Sequence, residues 1–314
     1  MTISLNLGKL SNLNCYSDIE NYEIVDKIGR GKYSNVYSGV NMVKGTEVAV
    51  KIFKPVKKSK IKREVKILNL LKGGPNIIEI QDVIRDSATK TPTIITEFIN
   101  QGEIEPKNIL PQMSMSIDDI KHYILSTLKA LEFAHSKEII HRDVKPHNIL
   151  YDKENRVIKL ADWGQAEFYD SEKEMNTRVG ALFYKAPELL LGYPFYDKSI
   201  DIWSLGWVLA QLIFQKQPFF SGKSLVDQLV KITKVLGTKR LNEYTEAYNI
   251  TINSSMKDMI GKSSDSKTWD SFKNNKNAHL FSEESIDLIH QMLQYDHKNR
   301  ITAREAINHP FLSS

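Results

Sequence analysis

A chain of 314 residues with 41% hydrophobic content can bury a sizeable core, and its length fits two lobes better than one. Forty-three basic residues against 38 acidic leave a net charge of +5, so strong attraction to anions must come from local clusters rather than from the global field. The single cysteine, Cys15, excludes an intrachain disulfide and a cysteine-based zinc site, and fits a reducing compartment rather than secretion.

Residues 1–21 are read as an N-terminal arm, and MTISLNLGKLSNLNCYSD has neither the apolar run nor the small-residue cleavage site of a signal peptide. From Tyr22 the runs YEIVDKIG, SNVYSGVN and EVAVKIF are short, rich in β-branched residues and separated by turns, which predicts sequential antiparallel strands. Between the first two lies Gly29-Arg30-Gly31-Lys32-Tyr33-Ser34-Asn35-Val36, a turn whose glycines would let backbone approach a phosphate; by itself it reads equally well as a simple hairpin. Lys51 follows in the third strand, 20 residues past Gly31.

KPVKKSKIKRE, residues 54–64, then places six basic side chains in ten positions and leads into a predicted helix. Ile61, Val65 and Leu68 give that helix one buried face, and GGP at 73–75 stops it. Glu64 falls on the inward face, where a carboxylate needs a partner, and Lys51 can supply it. IIEIQDVIRD and TPTIITEFI are expected as a strand pair around the polar turn at Ser87 to Lys90, completing a small sheet over 22–100.

Residues 101–314 are expected to form a larger, mostly helical part, making the fold class α+β. Its long helices are SIDDIKHYILSTLKALEFAHS, IWSLGWVLAQLIF, SLVDQLVKITKVLG and SEESIDLIHQMLQY, the last with Ser282 and Ser285 near its start as caps. IWSLGWVLAQLIF, residues 202–214, is shorter than the roughly 20 residues a bilayer span needs and reads as a buried core helix; no membrane attachment is expected. Residues 244–278, rich in Asn, Ser and Lys and poor in periodicity, read as an irregular insert.

The chemistry is concentrated in IIHRDVKPHNIL, where Asp143 and Asn148 stand five apart with Lys145 between them, the pattern H-R-D-x-x-x-x-N. LADWG supplies Asp162 nineteen residues after Asp143, and YKAPE adds Glu188. Spaced motifs in this order make chance a poor account, and with them the chain resembles a eukaryotic protein kinase from Tyr22 to Leu312.

That resemblance implies a bilobal kinase fold with ATP and Mg²⁺ as cofactors. The nucleotide would meet Ile28, Gly29, Arg30, Gly31, Lys32, Tyr33, Ser34, Asn35, Val36, Ala49, the hinge from Glu97 to Ile99, and Leu150. Lys51 would contact its α- and β-phosphates and pair with Glu64, while Asn148 and Asp162 hold the metal. Asp143 would take or orient the substrate hydroxyl proton, and Lys145, the serine/threonine form of the loop, would steady the transferring phosphate. Glu188 with Arg300, and Asp201 beneath the catalytic loop, are implied to be structural.

More narrowly, the chain is similar to the catalytic α subunit of casein kinase II at GRGKYSNV, KIFKPVKKSKIKRE, GGPNII, HRDVKPHN and PFFSG, and at Trp163, where most kinases carry phenylalanine. This implies Ser/Thr substrates followed by acidic residues, read by Lys57, Lys58, Lys60 and Lys62 and, in the activation segment, by Arg178 and Lys185. It also implies a dimeric regulatory β subunit on the first-lobe sheet, an α2β2 assembly, and a place in cytoplasm and nucleus. Departures are Leu182 in place of an arginine, Thr96, Ala49 and Leu150 in place of larger pocket residues, and an N-terminal arm that matches poorly. Thr177 lies eleven residues before Glu188, with Arg142 the expected receiver of a phosphate.

Competing readings are a cyclin-dependent or MAP-kinase-like proline-directed enzyme, suggested by ALFYKAPELLLGY and the insert after Thr238, and a pseudokinase scaffold. The unbroken set Lys51, Glu64, Asp143, Asn148 and Asp162 argues against the scaffold. A nucleic-acid face would interleave aromatics for stacking, and 54–64 has none beyond the adjacent Phe53.

Overall fold

The computed structural model describes residues 19–85, 91–102, 115–262 and 264–313. Cys15, residues 1–18 of the arm and the turn at Ser87 to Lys90 therefore lie outside the described residues. The chain divides into two compact units, one running up to Gly73 and including Ile78–Asn100, the other made of Gly74–Ile77 and the chain from Gln101 onward.

The first unit is a five-stranded antiparallel sheet of β1 (Tyr22–Arg30), β2 (Ser34–Asn41), β3 (Thr46–Phe53), β4 (Ile80–Arg85) and β5 (Pro92–Glu97), in the order β1-β2-β3-β5-β4. Alternation along β3 turns Val48 and Val50 onto one face, where they cluster with Ile84 of β4 and Ile95 of β5. The opposite parity places Lys51 level with Val36 on β2 and Ile94 on β5. Helix α1 (Lys58–Leu71) buries Ile61, Glu64, Val65, Ile67, Leu68 and Leu71 along one stripe.

The predicted fourth strand starts at Ile77, but β4 begins at Ile80. Ile77 instead bridges Leu160 in the second unit, where the Asn76 carbonyl accepts from Leu160 N at 2.7 Å and Asn76 Nδ2 donates to the Ile158 carbonyl at 2.9 Å. An apolar run looks the same to periodicity whichever partner its backbone finds.

The second unit is mostly helical: α2 (Ile117–Ser136), α3 (Pro187–Leu190), α4 (Ser199–Phe214), α5 (Leu225–Leu236), α6 (Lys239–Ala247), α7 (Ser254–Ile260), α8 (Glu283–Met292), α9 (Ala303–Ile307) and α10 (Pro310–Ser313). Two short ribbons join them, β6 (Ile139–Ile140) with β9 (Glu167–Phe168), and β7 (Ile149–Asp152) with β8 (Val157–Leu160). Helix α4 is apolar nearly all round, from Ile200 to Phe214, and is buried nearly all round, as a core helix must be. Among the described residues no helix is long and apolar enough to cross a membrane. Ser282 caps α8 by accepting from Ser285 N, and the Ser285 side chain reciprocates, closing the predicted N-terminus.

Residues 244–278 are more ordered than their composition suggests. They contain the end of α6, all of α7, and 3-10 turns at Trp269–Phe272 and Ala278–Leu280. Trp269 stacks on Phe214 with centroids 5.4 Å apart, and the fully buried Asn277 donates to the carbonyls of Phe214 and Phe272, each at 3.0 Å. Sparse anchors separated by polar residues leave no periodic trace, so the order comes from packing on α4 and α5.

Candidate active site

In the first unit, β3 and the inward stripe of α1 bring together Lys51 and Glu64, 2.6 Å from Nζ to Oε1, with side chains 15% and 4% exposed. A buried carboxylate that would be costly alone thereby becomes one half of a charge-assisted bond, and it holds the ammonium in one place. The glycine-rich turn closes through Gly31 N donating to the Ser34 carbonyl at 2.9 Å.

Lys54 fastens the basic run to this turn, its Nζ donating to the Gly31 carbonyl at 2.6 Å and its N–H to the Tyr33 carbonyl at 2.9 Å. Lys60 and Lys32 stand 4.4 and 5.3 Å over the Tyr33 ring, and bonding to Lys32 with the nearby Lys60 charge lowers the phenol's pKa. Nothing in the sequence links the basic run to the turn.

Of the other expected nucleotide contacts, Ile28 is half exposed on β1, Ser34 is buried, and Ala49 on β3 pairs with Ser38 and Thr96. Glu97 ends β5 with its carboxylate accepting from Glu79 N at 2.8 Å; Ile99 and Leu150 are half-buried. Lys57 and Lys58, like Lys60, are exposed around the start of α1.

The second unit gathers Asp143, Lys145 and Asn148 on the loop after β6. Asp143 Oδ2 accepts from Lys145 Nζ at 2.7 Å and from Asn148 Nδ2 at 3.2 Å, while Oδ1 accepts from Ala181 N at 2.8 Å. Asn148 Nδ2 also donates to the Asp143 carbonyl at 2.8 Å, so its amide oxygen is turned the other way. Beneath the loop, the buried Asp201 accepts from the backbone N–H of His141 and of Arg142, each at 2.8 Å, and lies 2.9 Å from His135 Nε2.

Ala181 reaches Asp143 because Gly180 precedes it. Gly180 has φ +75°, and a Cβ there would lie 2.6 Å from the Arg142 carbonyl, so only glycine lets the activation segment pass this close. Sequence reading missed both residues: a backbone N–H carries no side-chain signature, and one glycine among fifteen attracts no notice.

Asp162 adopts φ +56° just before Trp163. The indole, 1% exposed, donates from Nε1 to the Leu160 carbonyl at 3.1 Å and packs edge-on against His141, centroids 4.6 Å apart. A Trp163→Phe variant should fold but lose about 0.5–1.5 kcal/mol, read as a lower urea midpoint at unchanged m-value. An unchanged midpoint would show that the bond contributes nothing.

Two cations expected to meet substrate or phosphate are already engaged within the chain. Lys185, expected to face substrate, is 8% exposed; its ammonium donates to the Val179 carbonyl, and burial lowers its pKa against an opposing pull from Asp143. Arg142, expected to await a phosphate, is buried and already engaged. It donates from Nε to the Gln165 carbonyl at 2.8 Å and from Nη1 to Tyr196 Oη at 3.1 Å, and it sits 3.5 Å from Glu167. Tyr196 passes the link to the Asn176 carbonyl at 2.8 Å, while Arg178 nearby is exposed. Glu188 and Arg300 form a bidentate pair at 2.9 and 3.2 Å with both side chains fully buried, as a structural tie should.

Among the described residues no three His, Cys, Asp or Glu side chains cluster as a self-sufficient metal cage. Asn148 and Asp162 instead offer hard oxygen donors of the kind that share a cation with phosphate oxygens. A family model described as the protein kinase domain matches residues 22–312, nearly the whole chain.

Proposed function

Since the chain belongs to the protein kinase domain family, and so is a phosphotransferase using ATP and a divalent metal on protein substrates, we propose a narrower activity for it. It is a serine/threonine kinase of the casein kinase II α type, transferring the γ-phosphate of ATP to Ser or Thr followed by acidic residues.

The observation that carries this reading is the seating of the basic run. Helix α1 begins without a side-chain cap and without an acidic residue in its first turn, and Lys58 and Lys60 stand at the positive end of its dipole. Lysines there cost helix stability, so helix formation does not explain them; an acidic peptide would. Lys54 and Lys60 also tie the run to the glycine-rich turn, next to the nucleotide contacts.

In this mechanism Lys51, steadied by Glu64, binds the nucleotide phosphates. Asn148 and Asp162 would hold Mg²⁺, which would supply charge neutralisation of the phosphates. Asp143 orients the acceptor hydroxyl and takes its proton, with Lys145 at 2.7 Å steadying the charge that is moved. Leu182 and the buried Lys185 leave acid recognition to Lys57, Lys58, Lys60, Lys62 and Arg178.

The engaged Arg142 supports activity without a phosphate on Thr177. Exposed Ile24, Val25, Met42 and Val43, on β1 and the turn after β2, give the sheet an apolar surface suited to a regulatory β subunit. The basic run also has the composition of a nuclear address, in keeping with cytoplasm and nucleus as compartments.

The test is phosphate transfer from ATP by unphosphorylated protein to a peptide with Ser followed by Glu/Asp and to a Ser-Pro peptide with basic flanks. The acidic peptide should be preferred, Thr177→Ala should retain activity, and Lys57, Lys58, Lys60→Ala should raise the acidic peptide's KM about tenfold, three exposed ion pairs' worth. Preference for Ser-Pro, or silence until Thr177 is phosphorylated, would overturn the reading in favour of a proline-directed kinase.

A further inference from the structure

The 244–278 stretch builds something the kinase reading leaves unused. Its segment 264–267 is strapped across the turn between α5 and α6: Thr238 N donates to the Ser264 carbonyl at 2.9 Å, Ser264 N to Thr238 Oγ1 at 2.7 Å, and Lys267 N to the Val235 carbonyl at 2.8 Å. The turn is Gly237, at φ +77°, where a Cβ would fall within 2.8 Å of the backbone of Ser264, Asp265 and Ser266, so the strap lies flush only on glycine. Tyr295 Oη holds the same residue from below, donating to the Gly237 carbonyl at 3.0 Å.

Strap, α5, α6 and α8 enclose a cavity of about 170 Å³ whose polar rim is Arg240, Lys267, His290, Ser266, Thr268 and Gln294, over a floor of Leu236, Leu293 and Trp269. Among the described residues no carboxylate lines it. Among the described residues the side chains of Arg240, Lys267 and His290 have no ion pair or hydrogen bond. The nearest acid on α8, Asp287, is bonded to His309 at 3.1 Å and to Gln291. Arg240 and Lys267 supply the positive charge; burial and then the Arg240 charge lower the His290 pKa against a weaker pull from Asp287, which favours the neutral imidazole.

We infer that this cavity is a binding site for a phosphomonoester group, carried by a phosphorylated serine or threonine of a protein. The guanidinium fork matches phosphate and carboxylate alike, but donors arriving from several elements suit a tetrahedral group with three terminal oxygens better than a carboxylate with two. The volume admits that group and the stem carrying it, and is well below the roughly 300–1,000 Å³ of pockets that take drug-sized ligands. The apolar floor, with the Trp269 ring held by Phe214, gives the stem a surface. The inference is independent of the casein kinase II reading, because it concerns equilibrium binding away from Asp143.

Tryptophan emission offers a local readout. Trp163, Trp203 and Trp207 are at most 1% exposed, whereas Trp269, the fourth, lines the cavity. The full chain is titrated with a phosphoserine peptide, the same peptide unphosphorylated, and inorganic phosphate, with calorimetry as a second readout. A saturable signal is expected with the phosphopeptide and none with its unphosphorylated form. Arg240→Ala and Lys267→Ala should each weaken Kd by about tenfold or more, and the double variant should abolish binding without changing phosphotransfer or Tm.

If inorganic phosphate binds as tightly as the phosphopeptide, the site stands with the free ion as its ligand. A phosphopeptide Kd unchanged in the double variant, or no saturable signal from either phosphate probe, would overturn the inference.

Discussion

On the proposed mechanism, Asp143→Asn should lower kcat by about 10²–10⁴-fold, the range for removing a positioned general base, while KM for ATP should stay near that of the parent chain. The substitution keeps the volume but cannot keep the bonds. Both Asp143 oxygens accept, Oδ1 from Ala181 N and Oδ2 from Lys145 and Asn148, so an amide NH₂ would face a donor whichever way it turned. Steady-state kinetics with saturating peptide, together with a melting curve, test this. The conflict at a residue only 7% exposed should also cost about 1–3 kcal/mol of stability. A variant within about threefold of parental kcat would remove Asp143 from the proton's path, since a base contributes at least about a hundredfold.

Arg300→Ala should lower unfolding free energy by about 3–5 kcal/mol, the cost of leaving a buried charge without its partner. Glu188 and Arg300 have no exposed side-chain surface and meet across 112 positions of the chain. Arg300 also donates to the carbonyls of Ser199 and Gln294, so truncation strands neutral acceptors along with the carboxylate. Urea unfolding measures the loss. Pairing Arg300→Met with Glu188→Gln should recover part of it, because the stranded charge is gone. Equal losses in the single and double variants would mean that packing rather than charge holds the tie.

How much was legible before the structure differs by kind of residue. Lys51, Glu64, Asp143, Lys145, Asn148, Asp162, Glu188 and Arg300 are chemically distinctive side chains at diagnostic spacing, and the geometry pairs Lys51 with Glu64, Asp143 with Lys145 and Asn148, and Glu188 with Arg300. Gly180 and Ala181 act through a missing Cβ and a backbone N–H, which residue type does not encode. The partners of Lys185 and Arg142 were not legible, because a cation's sequence position says nothing about which acceptor it finds first; folding supplied Val179 for one, and Gln165, Tyr196 and Glu167 for the other.

The sequence by itself determined the family and the α+β order of a small sheet followed by a mostly helical part, because local periodicity and motif spacing are properties of the chain alone. Only the tertiary structure decided where Ile77 pairs, that 264–267 lies strapped across Gly237, and which lysines remain exposed to partners. Each of those depends on contacts between residues far apart in the chain, and a contact is settled by competition among all the acceptors and apolar surfaces that folding brings within reach.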